Sequence, residues 1–215
     1  MIATDSDPDT EGRMRQLTYY ISLSIDGFIA GPADEVDFFP GSDEYMEWMV
    51  REYADALPSQ ARTHLGVADA PLTKFDTIVM GRRTYDPALQ LGITSPYAHL
   101  RQYVFSRTLE PLDPAVTFVN GDPAETVRAL KREDSEFGIY LAGGGSLAGQ
   151  LVGEIDRLVI KRYPVMAGAG KTAFGPEFTP TTFELDEVLT FDGGNVVEVY
   201  SRTAAAAPGA TGAGE

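Results

Sequence analysis

The stretch Tyr140-Leu141-Ala142-Gly143-Gly144-Gly145-Ser146-Leu147-Ala148 runs from an apolar strand pattern through consecutive glycines into a helical pattern. Glycines leave the backbone bare, so it can approach a pyrophosphate, and a helix start presents free N–H groups to it. Gly143, Gly145 and Ala148 also satisfy the spacing G-x-G-x-x-A. A Rossmann dinucleotide fold places that motif in its first βαβ unit, with an acid about 20 residues later for the ribose. Here the motif lies well past the middle of the chain, and the following strand carries Lys161 and Arg162. The glycines therefore suit a phosphate in some other fold, or else only a tight strand–helix turn.

A second strand–glycine–helix junction precedes it, Val79-Met80-Gly81-Arg82-Arg83-Thr84-Tyr85. Two arginines and a hydroxyl there meet the positive end of a helix dipole, a combination that suits phosphate. The plain alternative is a solvated helix start. Gly168-Ala169-Gly170-Lys171-Thr172 imitates the end of a P-loop, but Val165 stands where that loop requires a glycine, which excludes a nucleoside triphosphatase.

Outward from these junctions, strands are expected at 17–23, 77–80, 102–105, 117–119, 138–142, 157–163, 182–191 and 195–201. Helices are expected at 43–57, 84–91, 123–131 and 146–152, the third with Asp122 as N-cap and Pro123 at its first position. Strand and helix alternate up to Val152, and the last two strands read as a hairpin across Asp192-Gly193-Gly194-Asn195. The expected architecture is α/β: a mostly parallel sheet with an antiparallel C-terminal edge. Residues 1–14 and 203–215 read as disordered tails around one domain at 15–202, and Met14 is a candidate start.

The chain has 215 residues, 43% of them hydrophobic, so it can bury a core without covalent staples. It has no cysteine, which removes disulfides, thiol nucleophiles and cysteine-ligated zinc, and its two histidines lie far apart. No metal is expected. A formal net charge of −15 argues against nucleic acid and anionic membranes as partners. With no basic apolar leader and no spanning run, a cytoplasmic protein is expected. The charge is uneven: residues 34–55 hold eight acids and one base, whereas 74–109 hold five bases and two acids. That basic island suits an anionic ligand, with scatter as the alternative.

Four stretches in this order resemble the dihydrofolate reductase-like superfamily: Tyr19–Gly31 (YYISLSIDGFIAG), Ile78–Tyr85 (IVMGRRTY), Tyr140–Leu147 (YLAGGGSL) and Ile155–Phe174 (IDRLVIKRYPVMAGAGKTAF). The closer similarity is to stand-alone bacterial relatives of the reductase domain of riboflavin-biosynthesis deaminase–reductases. This resemblance implies a sheet of about eight strands, NADPH as cofactor and a homodimer. It implies that Gly81, Arg82, Arg83 and Thr84 form a cofactor-phosphate turn, with Ser106 and Arg107 at the adenosine ribose or 2′-phosphate. Gly143, Gly144, Gly145, Ser146 and Leu147 would form the pyrophosphate turn, with a cis peptide at Gly143–Gly144. Ser22 and Ile29 would flank the nicotinamide, and the loop from Asp26 to Pro40 would cover the site.

Departures from the family narrow the function. No acid aligns cleanly with the pterin-binding carboxylate of folate-reducing members, and the H-x-E and P-C-x-x-C motifs of a zinc deaminase are missing. The resulting expectation is an NADPH-dependent reductase acting on a small heterocyclic substrate. Asp37 and Glu47 are candidate proton donors, and Lys161 is a candidate substrate contact. The alternatives are a dihydrofolate or ribosylaminopyrimidine reductase proper, and a nucleotide-binding module without catalysis.

Overall fold

The computed structural model describes residues 14–175 and 179–203. The expected tails lie outside these residues, apart from Met14 and Thr203. Strands β1 (Leu17–Leu23), β3 (Phe75–Gly81) and β6 (Gly138–Gly143) carry near-continuous apolar runs because each is covered on both faces. They form the centre of an eight-stranded sheet with β4 (Arg101–Phe105), β5 (Val116–Val119), β7 (Arg157–Arg162), β9 (Phe183–Thr190) and β10 (Val196–Arg202). The order is β5-β4-β3-β6-β1-β7-β10-β9. Pairing is parallel from β5 to β7 and antiparallel for β7–β10 and β10–β9. The sheet and its C-terminal hairpin are those expected from the sequence. The hairpin turn Asp192–Gly194 uses Gly193 at φ 77°, a left-handed conformation that glycine adopts without a steric cost.

Two short strands were not foreseen: β2 (Phe28–Ala30) and β8 (Lys171–Thr172) pair as a separate antiparallel ribbon. Helices α1 (Asp43–Tyr53) and α3 (Arg82–Gln90) pack on one face of the main sheet, with Tyr45, Trp48 and Tyr85 buried. Helices α4 (Pro123–Lys131) and α5 (Gly145–Gln150) pack on the other, through Val127, Leu130, Leu147 and Ala148. The two cores differ in kind. The α1/α3 side is rich in tyrosine, and the α4/α5 side is mostly aliphatic.

The helix expected to reach Leu57 ends at Tyr53, and a tight turn covers Ala54–Ala56. The break has a physical cause. Asp55 turns inward, and one of its oxygens accepts the backbone N–H groups of Thr73, Lys74 and Phe75, at 2.7 to 3.1 Å. A further helix, α2 (Ser59–His64), follows, with Arg62 buried and donating to the carbonyls of Ala54, Ala68 and Ala70.

At the amino ends of the central strands the charges are paired. The Arg15 side chain is fully buried and bonds Asp76, Glu133 (3.1 Å) and Thr77 (3.0 Å). Arg101 also bonds Glu133, which holds that carboxyl below its ordinary value, and Lys74 lies 3.6 Å from Glu52. The basic island of the sequence therefore divides: Lys74 and Arg101 belong to this end, and only Arg82, Arg83 and Arg107 lie at the other.

Candidate active site

At the carboxyl ends of β3 and β6, neighbouring parallel strands give rise to helices that leave toward opposite faces of the sheet: α3 on the tyrosine side and α5 on the aliphatic side. This divergence makes the β3/β6 boundary a switch point of the sheet, and the two glycine junctions meet there. A Cβ placed on Gly81 would lie 3.7 Å from the Gly143 carbonyl and 3.8 Å from the Gly144 nitrogen. The Gly143–Gly144 peptide is cis. Both helices start at a glycine with no side-chain cap, Gly81 for α3 and Gly144 for α5. The leading N–H groups of each helix, Arg82 and Arg83 in α3 and Gly145 and Ser146 in α5, have no carbonyl of their own helix to bond, whereas those of Leu147 and Ala148 already bond the Gly144 carbonyl. By contrast, Ser42 caps α1 by accepting from Tyr45 N–H, and Asp122 caps α4 by accepting from Ala124 N–H.

The polar side chains around this boundary divide into engaged and free ones. Arg82 donates to Thr108 Oγ1 at 2.7 Å and lies 3.5 Å from Asp86, so it ties the α3 start to the segment after β4. Arg83 and Arg107 are exposed, and among the described residues neither has an ion-pair partner. Ser106 turns its hydroxyl onto the N–H groups of Thr108 and Leu109, which shapes the turn that carries Arg107. Ser146 is exposed at the start of α5, and Leu147 anchors that turn in the aliphatic core.

The β2–β8 ribbon lies across the start of α5. A side chain on Gly145 would overlap the Thr172 carbonyl oxygen, and one on Gly170 would overlap that of Ala30. Glycine is required at both points by the closeness of another backbone. Tyr19 donates to the Ala173 carbonyl at 2.8 Å and meets the Phe174 ring edge-on at 5.4 Å, so the seam is fixed from the sheet side. Asp26 fastens the other end. It accepts from Ser24 Oγ and from the Ala167 and Gly168 N–H groups, and these bonds hold its carboxyl down to about 2. Ile29 comes to the same boundary: a Cβ on Gly144 would lie 3.8 Å from its Cδ1 and 4.0 Å from Thr84 Oγ1. Cofactor candidates from three parts of the sequence thus converge.

Ser22 lies toward the carboxyl end of β1, on the tyrosine side, in register with Lys161 of β7. Lys161 is buried, with its Nζ 3.7 Å above the centre of the Tyr20 ring, and burial pushes its amine down to about 7. Nearby, Tyr20 stacks on Tyr53 at 4.5 Å and meets Tyr140 edge-on at 5.9 Å, and Tyr45 and Tyr163 share a hydrogen bond of 2.8 Å. Among the described residues the buried Tyr20 hydroxyl has no hydrogen-bond partner. Sequence reading passed over these tyrosines because aromatic residues on apolar faces look like ordinary core.

The two candidate proton donors are placed elsewhere. Asp37 is exposed on the loop between β2 and α1. Glu47 is exposed on the outer side of α1, whose sheet-facing side presents Tyr45 and Trp48. It lines a surface groove of about 700 Å³ with Met46, Leu65 and Val67, and no residue of the glycine junctions lines that groove. Of the loop from Asp26 to Pro40, Phe39 packs on Tyr163 at 4.7 Å, while Gly31, Pro32 and Phe38 face Val165 and Met166 across a cavity of about 280 Å³.

Among the described residues no group of His, Asp or Glu is arranged to hold a metal ion, and no helix is long and apolar enough to cross a membrane. Two uncharacterized proteins of Bacillus subtilis strain 168 are similar in sequence. YyaP is 26% identical over 87% of this chain and 95% of its own length, and YwjB is 28% identical over 86% and 97%. A crystallised Shewanella sp. PV-4 protein, provisionally assigned to riboflavin biosynthesis, superposes with a TM-score of 0.65 at 22% identity, covering 88% of this chain and 99% of its own. The Thermotoga maritima diaminohydroxyphosphoribosylaminopyrimidine deaminase/5-amino-6-(5-phosphoribosylamino)uracil reductase superposes with a TM-score of 0.58 at 12% identity. That match covers 88% of this chain but 57% of the Thermotoga one. These superpositions share the dihydrofolate reductase-like fold. The model of the RibD C-terminal domain matches residues 15–197, and with that match the chain belongs to the RibD C-terminal domain family.

Proposed function

We propose that this chain is an NADPH-dependent reductase that reduces a small heterocyclic acceptor. The observation that carries the reading is the divergence of α3 and α5 from the neighbouring strands β3 and β6. In open α/β sheets, ligands bind outside the carboxyl ends of the strands at such a switch point. The donor set suits a phosphorylated dinucleotide: two uncapped helix starts, the Thr84 and Ser146 hydroxyls, and the unpaired cations Arg83 and Arg107.

When bound, the dinucleotide supplies the hydride. The chain binds, orients and excludes water. Backbone N–H groups of Gly144, Gly145 and Ser146 would hold the pyrophosphate and Arg83 and Arg107 the 2′-phosphate, with Arg82 and Ser106 holding their turns in place. Ser22 and Ile29 would flank the nicotinamide ring. The β2–β8 ribbon and the loop ending in Phe39 shield the reacting face from water. The sheet-facing side of α1 offers aromatic rings rather than a carboxylate, which speaks against dihydrofolate as the acceptor. The acceptor named for the Thermotoga protein belongs in the test panel, although its deaminase chemistry has no zinc-ligand motif here.

Titration with NADPH and NADH, followed through the fluorescence of Trp48, tests the reading. Saturable binding of NADPH, tighter than that of NADH, supports it, and no saturation by either at millimolar concentration refutes it. Oxidation of NADPH across a panel of heterocyclic acceptors, including the phosphoribosylaminouracil and dihydrofolate, then separates a reductase from a module that binds without turnover. A homodimer and a cytoplasmic setting complete the reading. Light scattering near twice the chain mass of 23.3 kDa supports the dimer, and a monomer mass removes it.

A further inference from the structure

We propose that Lys161 is the proton donor of this reductase, acting from a tyrosine-walled acceptor subsite beside Ser22. The inference rests on the reductase reading above and names a residue for the proton that a C=N or C=O acceptor requires.

The placement is set by the sheet. Ser22 and Lys161 are register partners on adjacent parallel strands, and both face the tyrosine side. Side chains of register partners project from the sheet together, so a ring held against Ser22 lies within reach of the lysine stem. Lys161 is 8% exposed, yet no salt bridge among the described residues reaches its Nζ. The groups placed against it are the Tyr20 ring and its register partners, Ser22 on β1 and Val197 on β10, and Tyr20 in turn sits among Tyr45, Tyr53, Tyr140 and Tyr163. A buried amine without a carboxylate is costly to a fold and has no packing advantage over a methionine. The Tyr20 hydroxyl is a second orphan in the same cluster. Two unpartnered polar groups facing an aromatic cluster suit a flat, hydrogen-bonding ring.

Burial alone accounts for the depressed amine, which ionises at about 7 and so serves as an acid at neutral pH. In the step, a Nζ–H bond of Lys161 breaks and an N–H or O–H bond forms on the acceptor heteroatom. The hydride from the dinucleotide closes the C–H bond on the adjacent carbon. The acceptor double bond is reduced, the dihydronicotinamide is oxidised, and the neutral lysine recovers its proton from water. Asp37 and Glu47, both exposed, are not required.

The chain has only four lysines, so 13Cε-lysine NMR of the full-length protein resolves each titration, and loss of one resonance in Lys161→Arg or Lys161→Met assigns it. The free protein should show one lysine with a midpoint near 7. NADP+ and NADPH differ in charge at the nicotinamide ring, so the midpoint should be lower with NADP+ by at least about half a pH unit. A midpoint in the ordinary lysine range, or one identical in both complexes while calorimetry shows binding, overturns the assignment and leaves the reductase reading standing. No dinucleotide binding at all overturns both. With an acceptor from the panel, Lys161→Met should lower kcat by about 10²- to 10⁴-fold with NADPH affinity unchanged. Undiminished turnover in that variant also overturns the assignment.

Discussion

The two ends of the parallel sheet are built to opposite rules. At the amino end Arg15 is buried and bonds Asp76, Thr77, Glu133 and the Phe137 carbonyl, while Arg101 closes the group through Glu133. At the carboxyl end Arg83 and Arg107 have no partner among the described residues, and the helices start on glycines that cap nothing. Charges at the first end are consumed by the fold. Those at the second are not. The same contrast divides the helices: α1 and α4 satisfy their own first turns through Ser42 and Asp122, whereas α3 and α5 do not. A protein gains nothing in stability from uncapped helix starts and unpaired cations side by side, so their concentration at one sheet boundary supports the binding site proposed above.

If the ends differ in this way, substitutions should separate stability from binding. Arg15→Ala leaves Asp76 without its buried partner and should cost about 3–5 kcal/mol in urea unfolding. In the fraction that remains folded, NADPH affinity should be unchanged, and a selective loss of binding would break the contrast. Gly145→Ala forces the β8 seam away from α5 and should cost about 1–3 kcal/mol, with NADPH binding lost as well. Gly153→Ala, which points into open space, is its control and should do neither. Arg83→Ala combined with Arg107→Ala should leave stability within about 0.5 kcal/mol of the parent. It should weaken NADPH by about tenfold or more and NADH by little, as measured by calorimetric titration. Equal weakening of both would place the two arginines away from the 2′-phosphate.

Much of this architecture was legible in the sequence where the signal was local. The strands of the parallel sheet announce themselves as apolar runs, Asp122-Pro123 marks the start of α4, and Asp192-Gly193-Gly194-Asn195 marks the hairpin. The two glycine junctions were equally plain. What escaped depends on contacts between distant segments. β2 and β8 are strands only because Gly170 and Gly145 let the backbone around residues 170–172 press against Ala30 and α5. Asp55 reads as part of an acidic helix face until its three backbone donors at 73–75 are seen. The tyrosine cluster draws on Tyr20, Tyr45, Tyr53, Tyr140 and Tyr163, which no sequence window contains together. Counting charge along the chain merged Lys74 and Arg101 with Arg83 and Arg107, although a strand's length separates the two pairs.

Amide hydrogen exchange with and without NADPH tests the contrast most directly. The account predicts that NADPH slows exchange in the first turns of α3 (82–85) and α5 (145–148), and leaves the self-capped starts of α1 and α4 and the Arg15 end of the sheet unchanged. Protection at α1 or α4 with none at α3 and α5, in a complex shown to be saturated, would contradict it.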